Sequence, residues 1–314
     1  MPPHIIVVCG PTASGKTRLG VELARRFHGE VVSADSMQVY RKMDIGTAKP
    51  TREERGGVPH HMLDVADPRE EYSVARYARE ATACVDDILD RGKLPILVGG
   101  TGQYIDAVKA GHSFAAFRPD SGVRQALQAR AEAEGGQTLW RELEQIDPAA
   151  AARIHPNDLK RLIWALEVWR ETGKTITQHN LETKTIPPRY LARTIGLKYE
   201  NRDDLRRSID RRVDEMMAGG LFEEVKDLLQ AGIPLHCTAM QAIGYKELAA
   251  AVLGRVPMDE AVAEVKLRSR QYAKRQLTWF RRDPQIHWIN WERNPDFSRA
   301  LQDSTEFIGN FAVP

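Results

Sequence analysis

The chain has 314 residues, 42% of them hydrophobic and 28% charged, with a formal net charge of +2. That is the composition of an ordinary globular protein, long enough for one large core and a smaller appendage. Overall charge is too small to attract a polyanion, so any nucleic acid must be met by local patches. The longest apolar run, Ile5–Cys9, is far too short to span a bilayer, and the start Met-Pro-Pro-His has no basic region leading into a signal-type segment. Three cysteines (Cys9, Cys84 and Cys237) with no C-x-x-C argue against a disulfide framework or a cysteine zinc site. A cytoplasmic protein is expected.

In chain order, Ile5–Cys9 reads as a buried strand, Lys16–Phe27 as a helix with Leu19, Leu23 and Phe27 inward, and Glu30–Ala34 as a second strand. Ser73–Asp90 is a long helix closed by Gly92, and Leu94–Val98 is a third strand. Short apolar strands alternating with helices predict a parallel sheet flanked by helices. From 115 to 189 no strand pattern occurs; short helical segments are punctuated by "RPDSG", "EGGQT", "IDPAA" and "HPND". The clearest helix there is Asp158–Thr172, with Asn157 as N-cap, Gly173 past its end, and an apolar stripe of Leu159, Leu162, Ile163 and Leu166. The core resumes with a strand at Tyr190–Leu197, followed by helices Arg202–Met217, Leu221–Ala231, Ala239–Ala250 and Met258–Phe280 and a last strand Ile286–Ile289. The expected domains are therefore an α/β core (1–114 and 190–314) and an all-helical insertion (115–189).

Gly10-Pro-Thr-Ala-Ser-Gly15-Lys16-Thr17 matches G-x-x-x-x-G-K-[ST] between a strand and a helix. In such a P-loop, the backbone N–H groups and the helix N-terminus cradle a diphosphate, Lys16 adds a point charge, and the Thr17 hydroxyl is placed to hold Mg²⁺. The motif does not name the ligand. An ATPase usually ends a second strand in an acid, whereas Leu94–Val98 ends in "GGTG" and the nearest acid is Asp35. His60-His61 has no third ligand nearby, so a structural or substrate-contacting role outweighs a metal site.

Beyond the loop, "SADSMQVYRKMDIGTAKP" (Ser33–Pro50), "LVGGTGQY" (Leu97–Tyr104), "ARIHPNDLKR" (Ala152–Arg161), "QAIGYKE" (Gln241–Glu247) and "RQYAKRQLTWFR" (Arg270–Arg281) follow in order. With them, essentially the whole chain resembles the bacterial tRNA dimethylallyltransferases, and a P-loop NTPase-like fold is implied. The resemblance implies transfer of a dimethylallyl group from dimethylallyl diphosphate to N6 of the adenosine 3′ of a tRNA anticodon, with Mg²⁺, by a monomer. It implies a diphosphate cradle of Gly10, Thr12, Ala13, Ser14, Gly15, Lys16 and Thr17, joined by Arg212, although Arg211 beside it is an alternative. Asp35 corresponds to the general base and Thr101 to a hydroxyl that places the target base. Both follow strands and so open toward the ligand crevice of a parallel sheet; a turn aspartate and a helix N-cap are the plainer readings.

Lys266, Arg268, Arg270, Lys274, Arg275, Arg281 and Arg282 form a basic run with no acid between them, interleaved with Tyr272, Trp279 and Phe280. On pattern alone this is equally a solvated helix face or a surface for unstacked RNA. The resemblance implies the latter, with tRNA contacts at Lys274, Arg275, Gln276, Trp279 and Arg281, and others at Asp35, Ser36, Met37, Gln38, Thr101, Arg124, Leu159, Lys160, Arg161, Gln241, Tyr245 and Lys246. Trp164 stands where the family commonly has an arginine. A small-molecule kinase leaves the basic aromatic helix unexplained, and a non-catalytic RNA-binding protein leaves Asp35 and Thr101 idle.

Overall fold

The computed structural model describes residues 2–111, 121–185 and 187–309. They divide into two compact units, Met1–Gly111 with Arg189–Pro314, and His112–Pro188.

The larger unit begins β1 (His4–Cys9), α1 (Lys16–Arg26), β2 (Glu30–Ser33), α2 (Arg52–Arg55), β3 (His60–His61), α3 (Val74–Asp90), β4 (Pro95–Gly99) and α4 (Gly102–Ala110). The strands form one sheet in the order β3-β2-β4-β1-β5-β6, every neighbouring pair parallel. Period-two alternation divides the apolar side chains between its faces. Ile5, Val7 and Cys9 enter one buried cluster, and Ile6 and Val8 enter the other. Both faces are covered, which is why the strands read as continuous apolar runs.

The smaller unit is helical: α5 (Ser121–Glu134), α6 (Gly136–Ile146), α7 (Pro148–Ala151), α8 (Leu159–Thr172) and α9 (Ile176–Thr185). It has its own core, centred on Leu127, Leu139, Leu143, Leu162 and Leu166. Asp158 rather than Asn157 caps α8, its carboxylate accepting from Arg161 N at 3.3 Å. Leu159 is 38% exposed at the start of the helix, so the buried stripe begins at Leu162.

The chain returns to the larger unit as β5 (Leu191–Tyr199), α10 (Arg202–Ala218), α11 (Leu221–Gln230), α12 (Tyr245–Val252), α13 (Met258–Phe280), β6 (His287–Trp291) and α14 (Phe297–Ile308). The helix expected from Ala239 is broken. Residues Ala239–Gln241 make a 3₁₀ turn, and Gly244, at φ 96°, lets the chain redirect before α12. The His60-His61 pair is the edge strand β3. His61 Nε2 lies 2.7 Å from Glu30, and His60 Nδ1 2.9 Å from the Val58 carbonyl, so both serve the fold. Buried Glu30 is held far below the usual carboxylate range, first by Arg91 and then by Lys93 and His61.

Gly111 and Arg189 lie side by side: a Cβ added at Gly111 would stand 2.5 Å from Arg189 Cβ. Replacing residues 112–188 with a short flexible linker therefore closes a small gap, and closing it costs little entropy. The shortened protein is expected to melt cooperatively and to bind inorganic diphosphate like the full chain. Calorimetry and a binding titration check this, and an insoluble product would refute it.

Candidate active site

The phosphate loop leaves β1 at Gly10 and enters α1 at Lys16 through left-handed residues, Ala13 (φ 61°) and Gly15 (φ 82°). Its backbone is held from four directions. Gln276 Oε1 accepts from Thr12 N at 2.9 Å, Ser208 Oγ donates to Ala13 O at 3.1 Å, and Trp291 Nε1 donates to Ser14 O at 2.8 Å. The Ser14 hydroxyl, itself buried, donates to Pro11 O at 2.8 Å. The N–H groups of residues 13 to 17 have no acceptor among the described residues. Five donors at a helix start, held against movement, make an anion cradle.

Lys16 Nζ donates to Pro11 O at 2.7 Å. Burial, and then the neighbouring Arg212, pushes its ammonium down to about 8, with Asp35 opposing. Burial also lowers Arg212, again opposed chiefly by Asp35. These groups line a cavity of about 630 Å³ together with Thr17, and an adjoining cavity of about 280 Å³ shares Thr12, Asp35, Arg212 and Tyr272. Arg211 also reaches the larger cavity, but it is exposed and pairs with Glu215 at 3.6 Å. Of the two arginines, Arg212 is the one that borders both cavities.

Asp35 and Thr101 sit past the ends of β2 and β4, and β4 is the strand beside β1. Backbone pairing continues beyond both strands, Ala34 N to Val98 O at 2.8 Å and Thr101 N to Ala34 O at 3.1 Å, so the two residues are held together. Asp35 Oδ1 accepts from Met37 N at 2.9 Å and Gln38 N at 3.4 Å. Oδ2 has no hydrogen-bond partner among the described residues. Half of this carboxylate shapes its turn and half is open. Thr101 stands at the N-cap position of α4, yet its hydroxyl makes no cap bond. Instead it accepts from Ser36 N at 3.1 Å and lies 3.4 Å from Ser36 Oγ.

Three side chains expected to meet RNA are engaged within the protein instead. Gln276 is 6% exposed, and both ends of its amide are engaged, Oε1 as above and Nε2 on Gly100 O at 2.9 Å. Tyr245 is fully buried, its hydroxyl donating to Glu224 at 2.5 Å. The amide of Gln38 is likewise committed, to the Ser33 hydroxyl and to the carbonyls of Thr47 and Ala48. Tyr272, which borders both cavities, lies outside the set of site residues expected from the sequence; burial raises its hydroxyl to about 12, and Asp35 adds to this. The sequence hints at it only as one of the aromatics interleaved in the basic run.

The basic run divides in two. Lys266 pairs with Asp214 at 2.5 Å, Arg268 with Glu264 at 2.6 Å and Arg270 with Asp210 at 2.7 Å. Lys274, Arg275, Arg281 and Arg282 are exposed without an acidic partner among the described residues, Arg275 over Tyr272 and Arg282 over Trp279. The Trp279 indole is fixed by Asp106 at 2.9 Å. Ser36 and Met37 border the smaller cavity, as does Gln241, while Lys246 is exposed on α12. In the helical unit Lys160, Arg161 and Trp164 are exposed on α8, and Arg124 makes a bidentate pair with the buried Glu167.

Among the described residues no three metal-binding His, Cys, Asp or Glu side chains cluster. The large cavity does offer oxygen, from the Thr17 hydroxyl and the Asp35 carboxylate. Such a sparse oxygen set fits Mg²⁺, which keeps water and takes most of its ligands from substrate phosphates.

Residues 38–283 match the IPP transferase family, and residues 3–70 match isopentenyl transferase. The chain is 48% identical over 306 residues to a tRNA dimethylallyltransferase of Caldanaerobacter subterraneus subsp. tengcongensis, covering 97% of each. It is 46% identical over 310 residues to that of Oceanobacillus iheyensis, covering 99% of this chain and 96% of the relative. Among solved structures, the tRNA isopentenylpyrophosphate transferase of Bacillus halodurans is similar with a TM-score of 0.74 at 44% identity, covering 98% of this chain and 96% of that one. A eukaryotic dimethylallyltransferase acting on tRNA has a TM-score of 0.84 at 30% identity, covering 98% of this chain and 80% of that one.

Lys16 is charged below about 8 and neutral above it. Because an anion binds the charged form, the affinity for inorganic diphosphate relative to Lys16→Met at the same pH, a ratio in which the ligand's own ionisation cancels, is expected to hold below about pH 7.5 and then weaken, by up to about tenfold per unit of pH. Lys16→Met should bind weakly throughout. Calorimetric titrations of both proteins on either side of that pH check this, and a flat ratio would refute the role of Lys16.

Proposed function

The chain belongs to the IPP transferase family, the tRNA dimethylallyltransferases, and from that premise we propose how its residues divide the reaction. The substrates are dimethylallyl diphosphate and a tRNA anticodon stem-loop. The N6 amine of the adenosine 3′ of the anticodon attacks C1 of the prenyl group, the C1–O bond breaks with its electron pair leaving on diphosphate, and the N6 proton passes to Asp35. The allylic carbon carries positive charge as the bond breaks, so the main catalytic demand is neutralising the leaving group. Lys16, Arg212 and the open N–H groups of residues 13 to 17 supply that. Mg²⁺ held at Thr17 would add charge neutralisation on the same diphosphate.

One observation carries the assignment of Asp35: its carboxylate borders both the phosphate-loop cavity and the adjoining cavity lined by Ser36, Met37, Gln241 and Arg275. A group between a diphosphate and an incoming base is where a proton acceptor for N6 belongs. The Thr101 hydroxyl, beside Ser36, is assigned to orient the base. Lys274, Arg275, Arg281 and Lys246 are assigned to RNA phosphates and Trp279 to stacking. In the helical unit Leu159, Lys160 and Arg161 are the exposed candidates for RNA, and Arg124 would act with its charge shared by Glu167. The groups named come from one chain, and the working unit is proposed to be a monomer.

Asp35→Asn retains shape but cannot take the proton. Both substrates should bind, while turnover falls by on the order of 10²–10⁴, the usual worth of a positioned acid–base group. Kinetics at two Mg²⁺ concentrations separate this from a metal-ligand role, in which high Mg²⁺ would restore the rate; normal turnover would sink the assignment.

Reversing Lys274 or Arg275 to Glu should raise KM for tRNA and leave that for dimethylallyl diphosphate unchanged. The salt dependence of tRNA binding should flatten by roughly 0.7–0.9 in slope for each RNA phosphate no longer neutralised. The same reversal at the ion-paired Arg268 should leave that slope unchanged.

A further inference from the structure

Glu224, on α11, borders neither cavity of the site, yet its carboxylate collects four donors. Oε2 accepts from Asp44 N and Ile45 N at 2.8 Å each, and Oε1 accepts from Gly46 N at 3.1 Å and the Tyr245 hydroxyl at 2.5 Å. Three consecutive backbone N–H groups ending on one carboxylate fix a loop far more rigidly than its own turns can. The loop is also seated by shape, since a Cβ at Gly46 would lie 2.5 Å from the Tyr245 ring.

That loop does not end at the wall of the cavity. The carbonyls of Thr47 and Ala48 accept from Gln38 Nε2 at 3.2 and 3.1 Å, and Gln38 Oε1 accepts from the Ser33 hydroxyl at 2.9 Å. Gln38 N then donates to Asp35 Oδ1 at 3.4 Å, beside the shorter bond from Met37 N. A continuous set of hydrogen bonds thus runs from Glu224 through the loop and Gln38 to the Asp35 turn.

We propose that Glu224 is a positioning residue for the reaction: it anchors the Asp44–Ala48 loop, and through Gln38 sets the direction of the Asp35 carboxylate. All four of its partners are donors, so only a carboxylate satisfies them together. An amide there would turn its own N–H toward one of them. The phosphate loop is braced by Gln276, Ser208 and Trp291, and each of these bonds runs to the loop without passing through Glu224. The proposal rests on Asp35 being the base, and the test separates the two.

In Glu224→Gln, kcat is expected to fall about tenfold, the scale set by sub-ångström misplacement of a reacting group. The Kd for inorganic diphosphate should stay within about twofold of wild type, because the cradle is braced separately. In an Asp35→Asn background the same change should cost little further, since a relay cannot misdirect a group already disabled. A folded Glu224→Gln protein with wild-type kcat overturns the proposal, as does a full additive loss in the double variant. Wild-type turnover in Asp35→Asn alone defeats the base assignment and the relay with it, whereas a normal loss there beside an unaffected Glu224→Gln defeats only the relay. Should Glu224→Gln fail to fold, Gln38→Leu cuts the relay downstream with the Glu224 bonds intact. It should show the same kcat loss with unchanged diphosphate affinity, and wild-type kcat there overturns the proposal.

Discussion

The buried amide of Gln276 is the interaction on which the rest of the site depends. Its oxygen takes the Thr12 N–H of the phosphate loop and its nitrogen gives to Gly100 O, in the turn that carries Thr101. A buried donor or acceptor left unpaired costs about 1–3 kcal/mol, so α13 docks in the one register that satisfies both groups. The "GGTG" turn accepts it because side chains are missing there: a Cβ at Gly100 would meet the Gln276 amide at 2.1 Å, and one at Gly102 the Trp279 ring at 2.1 Å. An acid where other phosphate-loop proteins hold metal would obstruct this docking. With that face so fixed, the exposed Lys274 and Arg275 of the same helix are held at a defined place, Arg275 at the rim of the smaller cavity.

The electrostatics of the cavity are those of a site arranged for an anion. Arg212 and desolvation both lower the proton affinity of Lys16, and desolvation lowers that of Arg212. Asp35 is the opposing charge that makes two close cations tolerable. A diphosphate, which carries more negative charge than one carboxylate, relieves the same repulsion more completely, and the cations stabilise the further charge that it gains as the C1–O bond breaks. The proposed base and the anion-binding groups are thereby coupled through charge, while the hydrogen bonds that hold each of them remain separate.

Much of this is legible in the chain. The phosphate loop, the strands around it and the helical block are readable because each leaves a local signature, a spacing, a period or a cap, whereas Asp35 and Thr101 are singled out only by the resemblance of their motifs. What escapes is settled by distant partners. Tyr245 and Gln276 sit in motifs whose polar neighbours face outward, and only α11 and the glycine turn show that these two face in. In the basic run, the acids that neutralise Lys266 and Arg270 lie on α10, a separate helix far earlier in the chain. β3 is two residues long, too short for any period, and exists because Glu30 reaches across to His61. α14 is absent from the expected elements although it has an N-cap, Asp296, and an apolar stripe of Phe297, Ala300, Leu301 and Ile308; Phe297 packs against Gly15 and Arg18 at the start of α1.

The braces on the phosphate loop come from Ser208, Gln276 and Trp291, all in the second part of the chain, while the loop itself is complete by residue 17. The central strand β1 also waits, since its partner β5 begins only at Leu191. On the ribosome the helical block, whose contacts are local, emerges with everything its own core requires. The cradle emerges first among the functional parts and matures last. A chain stalled just short of Trp291 would already carry the whole signature motif and the exposed cations of α13, yet nothing would hold Ser14 O. Topology thus makes the bond from β6 the last of these three braces to become available, long after the motif it holds.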